Sequence, residues 1–563
     1  MDAKPAISIP AAANTTGAAY GDDAPIAAPA TPLAESALAL IRVSGNKALE
    51  LLSALFSPPK KILDAPGYSI VHGWIVNPSN ANSVNSNSNS SIVDSGVTAF
   101  RRIDEVLISV YRSPRSYTGE DGADISCHGG VAAVKAVMAA LKIAGFRDAL
   151  PGEFTFRAFM NGKLDLTRSE SVMELVSAKT GRSLRQAVNR LSGALEKEIR
   201  DIKNLLVQAL AETEIYLDYS EDEFGGRPGG SNADTGTVTG GKAAAEAIAA
   251  EAAGKFPGLA MTEQARSRLQ TLAASYRRER LYLEGALAVI AGRPNAGKSS
   301  LFNLLLKEDR SIVNEAPGTT RDWIEALVSI EDIPVRLADT AGLRGLRDSA
   351  GPPDAPAPLV SPIPLDPVEK IGIERSRELL AQADLILYLI DGSEGIAGED
   401  RVFLQDFCQD AAQKTPVLLL WNKADIATAP KDLSLAGENF YHSIREAMQG
   451  KESESGAAVL EISAKTGAGI PALSAAMAKA LTAGNAADSG GNSPGIASAR
   501  QKDLVDAALA AAEEALLLAE GGEPLDLIAP LLREAVNSLG EITGEVSTAD
   551  ILETMFSRFC VGK

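Results

Sequence analysis

Several residue types are scarce in this chain of 563 residues, which has 3 cysteines, 3 histidines and 3 tryptophans, with aromatics at 5%. Cys127, Cys408 and Cys560 lie far apart, and no CxxC or Cys/His cluster exists. That excludes a readable zinc site or disulfide framework and makes reduced cytoplasm the natural compartment. Basic charge is also short: 54 Lys and Arg stand against 73 Asp and Glu, a net charge of -19. Broad, non-specific nucleic-acid binding needs basic surface, so it is not expected here; a local basic patch or recognition shared with a partner stays open. No apolar run approaches the roughly 20 residues of a membrane span. The first 35 residues, Ala- and Pro-rich with one lysine and no arginine, lack the apolar core of a signal peptide. A soluble cytoplasmic protein without a membrane partner is expected.

What is present suffices for several domains at about 100–200 residues each. Hydrophobic residues make up 45%, an ordinary globular content. Residues 36–76 and 92–165 alternate short apolar runs with turns ("ALALIRVSG", "YSIVHGWIV", "IDEVLISVYRSP", "ADISCHGG"), as an α+β domain does. A polar tract, "NPSNANSVNSNSNSS" (77–91), interrupts them and reads as a surface insertion. From about 166 the period changes. Leu184, Val188, Leu191, Leu195, Ile199, Ile202, Leu206 and Leu210 step by three and four, predicting one long helix. Residues 225–262 read as a flexible insertion, with helix resuming near 263–284. Strands such as "ALAVIAG", "ADLILYLID" and "TPVLLLWNK" then alternate with helical segments, a βαβ pattern with buried parallel strands. After 500, Leu504, Ala508, Ala511, Ala515 and Leu518 predict helix again, and "STAD" predicts a last helix start capped by Ser547. The expected fold is multidomain α+β and α/β, with an α/β domain inserted into a split helical domain.

"GRPNAGKS" (Gly292–Ser299) fits GxxxxGK[ST] in the strand–loop–helix context that the motif requires. Its glycines let backbone N–H groups approach phosphates; Lys298 is expected on the β- and γ-phosphates and Ser299 on Mg²⁺. "DTAG" (Asp339, Thr340, Ala341, Gly342) follows an apolar run, at the place for a magnesium-side aspartate and a γ-phosphate-sensing glycine. "NKAD" (Asn422, Lys423, Ala424, Asp425) ends a strand, and Asp425 can accept from guanine N1–H and N2–H₂, which adenine cannot offer. "SAK" (Ser463, Ala464, Lys465) adds a backbone contact to the base. Order and spacing match Ras-like GTPase domains. "GTTRD" (Gly318–Asp322) stands where the first switch belongs, with Thr320 as second Mg²⁺ ligand. The expected nucleotide contacts run over Asn295, Ala296, Gly297, Lys298, Ser299 and Ser300, then Asn314, Glu315, Ala316, Pro317, Gly318, Thr319 and Thr320. Leu343 follows Gly342, where Ras-type enzymes carry a water-orienting glutamine. A carboxylate is available in "VEKIGIER", at Glu369 or Glu374, beyond a long Pro-rich stretch.

With "PGEFTFRAFMNGKLDL" (151–166), "GEDGADISCHGG" (119–130), "GRPNAGKSSLFN", "GTTRD", "DTAGLR", "VEKIGIER" and the terminal "FCVGK" in this order, the chain resembles the MnmE (TrmE) family of tRNA-uridine-modification GTPases. The resemblance covers about 24–224 and 263–563, less the insertions. It implies an N-terminal tetrahydrofolate-binding and dimerisation domain (24–165) after a disordered extension (1–23). A helical domain follows in two halves (166–284 and 500–563), with an inserted G domain (285–480) and a linker (481–499). It implies activation by K⁺ held by Asn295 and by the loop of Asn314, Ala316 and Thr319, and Glu369 as the water-orienting group. It implies a folate-derived one-carbon donor (5,10-methylene- or 5-formyl-tetrahydrofolate) on Arg42, Asp124, Lys163 and Lys563. The family glutamate before "HGG" is here the shorter Asp124, and the family's Gly-rich "PPGRGG" loop is replaced by "PLAESA" (32–37). Taken alone, Arg42 also fits a strand-end ion pair and His128 a satisfied turn histidine. The resemblance further implies a homodimer. It also implies a heterotetramer with an FAD-carrying flavoprotein, MnmG, that modifies the wobble uridine of certain tRNAs, and Cys560 acting in or near that chemistry. The competing expectation for Cys560 is a small residue packed beside Phe556 and Phe559. Two other functional readings stand beside this one. A ribosome-assembly GTPase of the Era/EngA type would carry a KH-like domain after the G domain, where this chain has Ala/Leu-rich helix. A scaffold GTPase would bind no folate.

Overall fold

The computed structural model describes Tyr20 and residues 22–77, 102–218, 258–308, 325–339, 378–401, 403, 415–428, 459–483, 494–546 and 549–562. The polar tract at 78–91 and the stretches 225–257 and 345–365, read above as insertions or Pro-rich linkers, lie outside these residues, as do Ser547 and Cys408. The chain forms two compact units: one comprises Met1–Met173, Arg190–Arg266 and Leu504–Lys563, the other Glu174–Asn189 and Ser267–Asp503.

The first unit is built on seven strands: β1 (Ile26–Pro29), β2 (Leu38–Ser44), β3 (Phe56–Ser57), β4 (Ser69–Val76), β5 (Arg102–Tyr111), β6 (Gly122–His128) and β7 (Arg147–Asp148). Their order is β3-β4-β5-β6-β2-β1-β7, with only β1 and β7 paired in parallel. Alternation sends Ala39, Ile41, Val43, Val106, Ile108, Val110, Ala123, Ile125 and Cys127 into the core, as period-2 patterning requires. Helices Ala48–Ala54 and Val131–Ala144 cover that face with Leu49, Leu52, Val134, Val137 and Leu141. The opposite face carries Leu38, Ile70 and Leu107, at 66%, 68% and 49% exposure.

The "PGEFTFR" segment folds as helix Glu153–Met160, whose polar residues are structural. Glu153 is fully buried and takes both arms of Arg147 at 2.6 and 2.7 Å. It also accepts from Arg157 at 3.0 Å, while Arg157 donates to the carbonyls of Asp22 and Ala24 and pairs with Glu120. The buried Glu153 charge is tolerated because both its oxygens accept hydrogen bonds from guanidinium groups.

The long helix expected across 184–210 is two helices, Gly181–Leu191 and Ala194–Asp218. Gly193 breaks it at φ 93°, where a Cβ would lie 2.1 Å from the Arg168 guanidinium. Leu184 and Val188 are accordingly exposed, while Leu195, Ile199, Ile202 and Leu206 are buried. Helix Ala194–Asp218 packs on helix Leu525–Thr543 through Ile528, Leu532, Ala535 and Leu539. Helix Ala499–Gly521 buries Ala508, Ala511 and Ala515 of the predicted stripe, leaves Leu504 and Leu518 half-buried, and buries Val505, which the stripe did not include. Helix Leu259–Glu284 begins inside the stretch read as insertion.

The second unit holds β8 (Ala286–Gly292), β9 (Glu325–Ile330), β10 (Ile333–Asp339), β11 (Leu385–Asp391), β12 (Val417–Asn422) and β13 (Leu460–Glu461) in the order β13-β12-β11-β8-β10-β9. All neighbours are parallel except the β9–β10 hairpin. That hairpin turns on Glu331 and Asp332, both at positive φ (50° and 64°), as a two-residue primed turn demands. β8 and β11 are buried at every position, the mark of central parallel strands.

Candidate functional site

The phosphate loop follows β8. Gly292 sits at φ 140°, and a Cβ there would lie 2.4 Å from the Leu389 carbonyl. Gly297, at φ 99°, would place a Cβ 2.2 Å from the Asn422 amide nitrogen. Asn295 takes a left-handed φ of 63° between them. Ala296 is buried, and Ser299 and Ser300 are exposed in the first turn of helix Lys298–Glu308. Lys298 folds back over the loop, donating to the carbonyls of Gly292 (2.9 Å) and Arg293 (3.0 Å). Burial pushes its pKa down, and the nearby Asp339 partly opposes that.

Ser299 Oγ donates to Asp339 Oδ2 at 2.8 Å, joining the phosphate loop to the end of β10. Asp339 Oδ1 is buried and has no hydrogen-bond partner. An unpartnered carboxylate oxygen beside a serine hydroxyl is a donor set that fits a hard cation such as Mg²⁺. Ser299 and Asp339 would hold that ion, which supplies charge neutralisation for phosphoryl transfer.

The base end is assembled at β12 and β13. Asn422 donates to the Ala296 carbonyl at 2.7 Å and accepts from the Ala464 N–H at 3.0 Å, so it ties the loops together. Lys423 is hydrogen-bonded to Asp391. Asp425 is exposed and accepts from the buried Ser463 hydroxyl at 2.7 Å. That hydrogen bond draws its pKa below the ordinary carboxylate range. Lys465 is exposed beside it. The sequence reading missed Arg293, Asp391 and Asp400, all part of this site's framework. The signals for Asp391 and Arg293 were an acid closing a buried strand ("LILYLID") and an arginine inside the phosphate loop.

Asn314, Glu315, Ala316, Pro317, Gly318, Thr319 and Thr320 lie outside the described residues, as do Thr340, Ala341, Gly342, Glu369 and Lys563.

In the first unit, Arg42 and Asp124 face each other across β2 and β6 and pair at 2.9 and 3.3 Å. Tyr111 OH donates to Asp124 at 3.5 Å, and the Arg42 guanidinium lies 5.8 Å from the Tyr117 ring centroid. The strand ion pair is therefore real. The chain's end comes to it: Arg42 Nη1 donates to the Gly562 carbonyl at 3.4 Å. Gly562 sits at φ 94°, where a Cβ would be 2.6 Å from the Pro29 carbonyl. Lys163 is turned elsewhere, donating to the Pro114 carbonyl at 3.0 Å.

The last helix runs Ala549–Phe556. Phe556 and Phe559 are buried with Phe156, Phe159, Leu166 and Leu552. Cys560 itself is exposed, not packed beside them. His128 is held by Asp104, which takes its Nδ1 at 2.7 Å and its backbone N–H at 2.8 Å.

A central parallel sheet, a glycine-dependent phosphate loop, a serine–aspartate pair at the metal position and an NKAD turn define a P-loop GTPase of the Ras-like type. Family models identify the wider chain: "MnmE helical domain" matches residues 166–560 and "GTP-binding protein TrmE N-terminus" matches 25–163. The chain belongs to the MnmE family. The "tRNA modification GTPase MnmE" of Treponema denticola is 40% identical over 542 residues, covering 96% of this chain and 98% of the relative. That of Symbiobacterium thermophilum is 36% identical over 540 residues, covering 96% and 99%. Among solved structures, Aquifex aeolicus Era bound to GDP and AlF4- aligns at 22% identity over 40% of this chain and 66% of that one, TM-score 0.24. The G domain of the T. maritima FeoB iron transporter aligns at 20% over 35% and 98%, TM-score 0.23. Neither structural likeness adds to the assignment.

Proposed function

We propose that this GTPase is potassium-activated and works with an FAD-carrying partner of the MnmG type. Together they add an aminomethyl or carboxymethylaminomethyl group at C5 of the wobble uridine of certain tRNAs, from a tetrahydrofolate one-carbon donor, in the cytoplasm. The observation that carries the reading is the meeting of Arg42, Asp124 and the Gly562 carbonyl, which seats the Cys560 end of the chain beside residues assigned to the donor. The domain division at 24–165, 166–284, 285–480 and 500–563 belongs to this reading. So does homodimerisation through the first domain, which the uncovered Leu38, Ile70 and Leu107 support; a strictly monomeric mass by light scattering, with and without a GTP analogue, would remove it.

Backbone N–H groups of the phosphate loop and Lys298 bind the phosphates, and Asp425 reads the guanine. Ser299, Asp339 and Thr320 hold Mg²⁺. Asn295, with Asn314, Ala316 and Thr319, holds K⁺. The Leu343 side chain has no polar atom for the attacking water, so Glu369 orients it. Hydrolysis measured in KCl against NaCl tests this directly. K⁺ is expected to stimulate strongly, and Glu369→Ala to lower kcat roughly a hundredfold with nucleotide affinity kept. Equal rates in the two salts would remove the potassium assignment.

A further inference from the structure

Asp391 is a buried acid that no part of the proposed reaction uses. It closes β11, and the parallel register sets it against Asn422, the residue before Lys423. At 4% exposure, its charge needs partners. Oδ1 accepts from the Ser393 N–H at 3.0 Å and the Ser393 hydroxyl, which leaves Oδ2 for the Lys423 ammonium. Lys423 itself stands at a positive φ of 63°, a conformation that a non-glycine residue keeps only when its surroundings hold it.

The segment that starts at Asp391 also reaches the phosphate loop. Arg293 donates to Glu394 at 2.8 Å and to the Gly395 carbonyl at 2.9 Å, and lies 3.0 Å from Asp400. Asp400 is fully buried and fixed by the Tyr388 hydroxyl at 2.9 Å and the Ala397 N–H at 2.8 Å. Between these ends, Gly392 N–H donates to the Asn422 carbonyl at 2.9 Å, and a Cβ on Gly392 would lie 2.4 Å from that oxygen.

We propose that Asp391 is a positioning residue for guanine recognition, and that the 391–400 segment is a strut joining the NKAD turn, through Lys423, to the phosphate loop, through Arg293. The inference rests on the assignment of Asp425 to the base. Asp391 touches no nucleotide; it fixes the turn from which Asp425 projects.

The test uses the full-length protein with Mg²⁺, measuring affinities for GDP, IDP and XDP together with the melting temperature. IDP lacks the exocyclic amine, so the GDP/IDP ratio reports alignment of the Asp425 carboxylate. Asp391→Asn is expected to weaken GDP binding roughly tenfold, the scale of one charge-assisted hydrogen bond, and to lower the GDP/IDP ratio. Lys423→Met is expected to do the same, and the double variant to be no worse than the poorer single one. Asp391→Glu is expected to restore part of the ratio. A general structural role would instead weaken GDP and IDP equally with a fall in melting temperature, and that result overturns the proposal. Additive effects of Asp391→Asn and Lys423→Met overturn it as well. If Asp391→Asn fails to fold, Lys423→Met decides: an unchanged GDP/IDP ratio in that variant overturns the proposal. Asp425→Asn separates this from the underlying assignment, since a missing gain in XDP binding there removes the base contact itself.

Discussion

Asn422 and Asp425 belong to one tetrapeptide, yet they do different work. Asn422 is 2% exposed and spends both ends of its amide on Ala296 and Ala464. Asp425 is exposed, with Ser463 donating to one carboxylate oxygen and orienting it. A carboxylate accepts only, which matches the two donors on the guanine edge. Asp425→Asn puts a donor at that edge, so GTP affinity is expected to fall by roughly ten- to a hundredfold and xanthosine triphosphate binding to improve. Competition against a fluorescent guanine nucleotide measures both. Unchanged GTP affinity would end the assignment. Asn422→Ala has a different signature, because it unties Ala296 from Ala464 and should loosen phosphate and base contacts together.

Elements place these residues, and here legibility from sequence was uneven. β8, β11 and β12 were readable because a strand buried on both faces is a plain apolar run, and the phosphate loop because its glycines answer to steric limits. The break at Gly193 was not readable: the apolar stripe continues through it, and only the Arg168 guanidinium packed against Gly193 shows why the chain must turn. Nor was the Arg42–Asp124 pairing readable from spacing alone, because it depends on strands distant in sequence falling into register. The tail is the clearest element-scale case. Phe556 is fully buried, with ring centroids 5.4 Å from Phe156 and 5.3 Å from Phe559. Phe556→Ala is expected to cost about 3–5 kcal/mol of tail docking, read as faster amide hydrogen exchange across 549–562 with GTP turnover retained. Gly562→Ala should give a milder version, since a Cβ there meets the Pro29 carbonyl. Tail protection unchanged in the Phe556 variant would show that the aromatic cluster does not hold it.

At the scale of the whole molecule, the proposed function assigns nucleotide hydrolysis to the second unit and one-carbon chemistry to the first, which also holds Cys560. The net charge of -19 does not favour broad, non-specific nucleic-acid binding by this chain. The most direct measurement is nucleoside analysis of tRNA from host cells lacking this protein, complemented with wild type, with Lys298→Ala or with Cys560→Ser. The account predicts that C5-aminomethyl and carboxymethylaminomethyl uridines vanish in the deletion and return only with wild type, while Cys560→Ser protein remains folded and hydrolyses GTP. Undiminished modified uridine in the deletion strain would contradict the central claim, and full rescue by Cys560→Ser would remove the thiol from the chemistry.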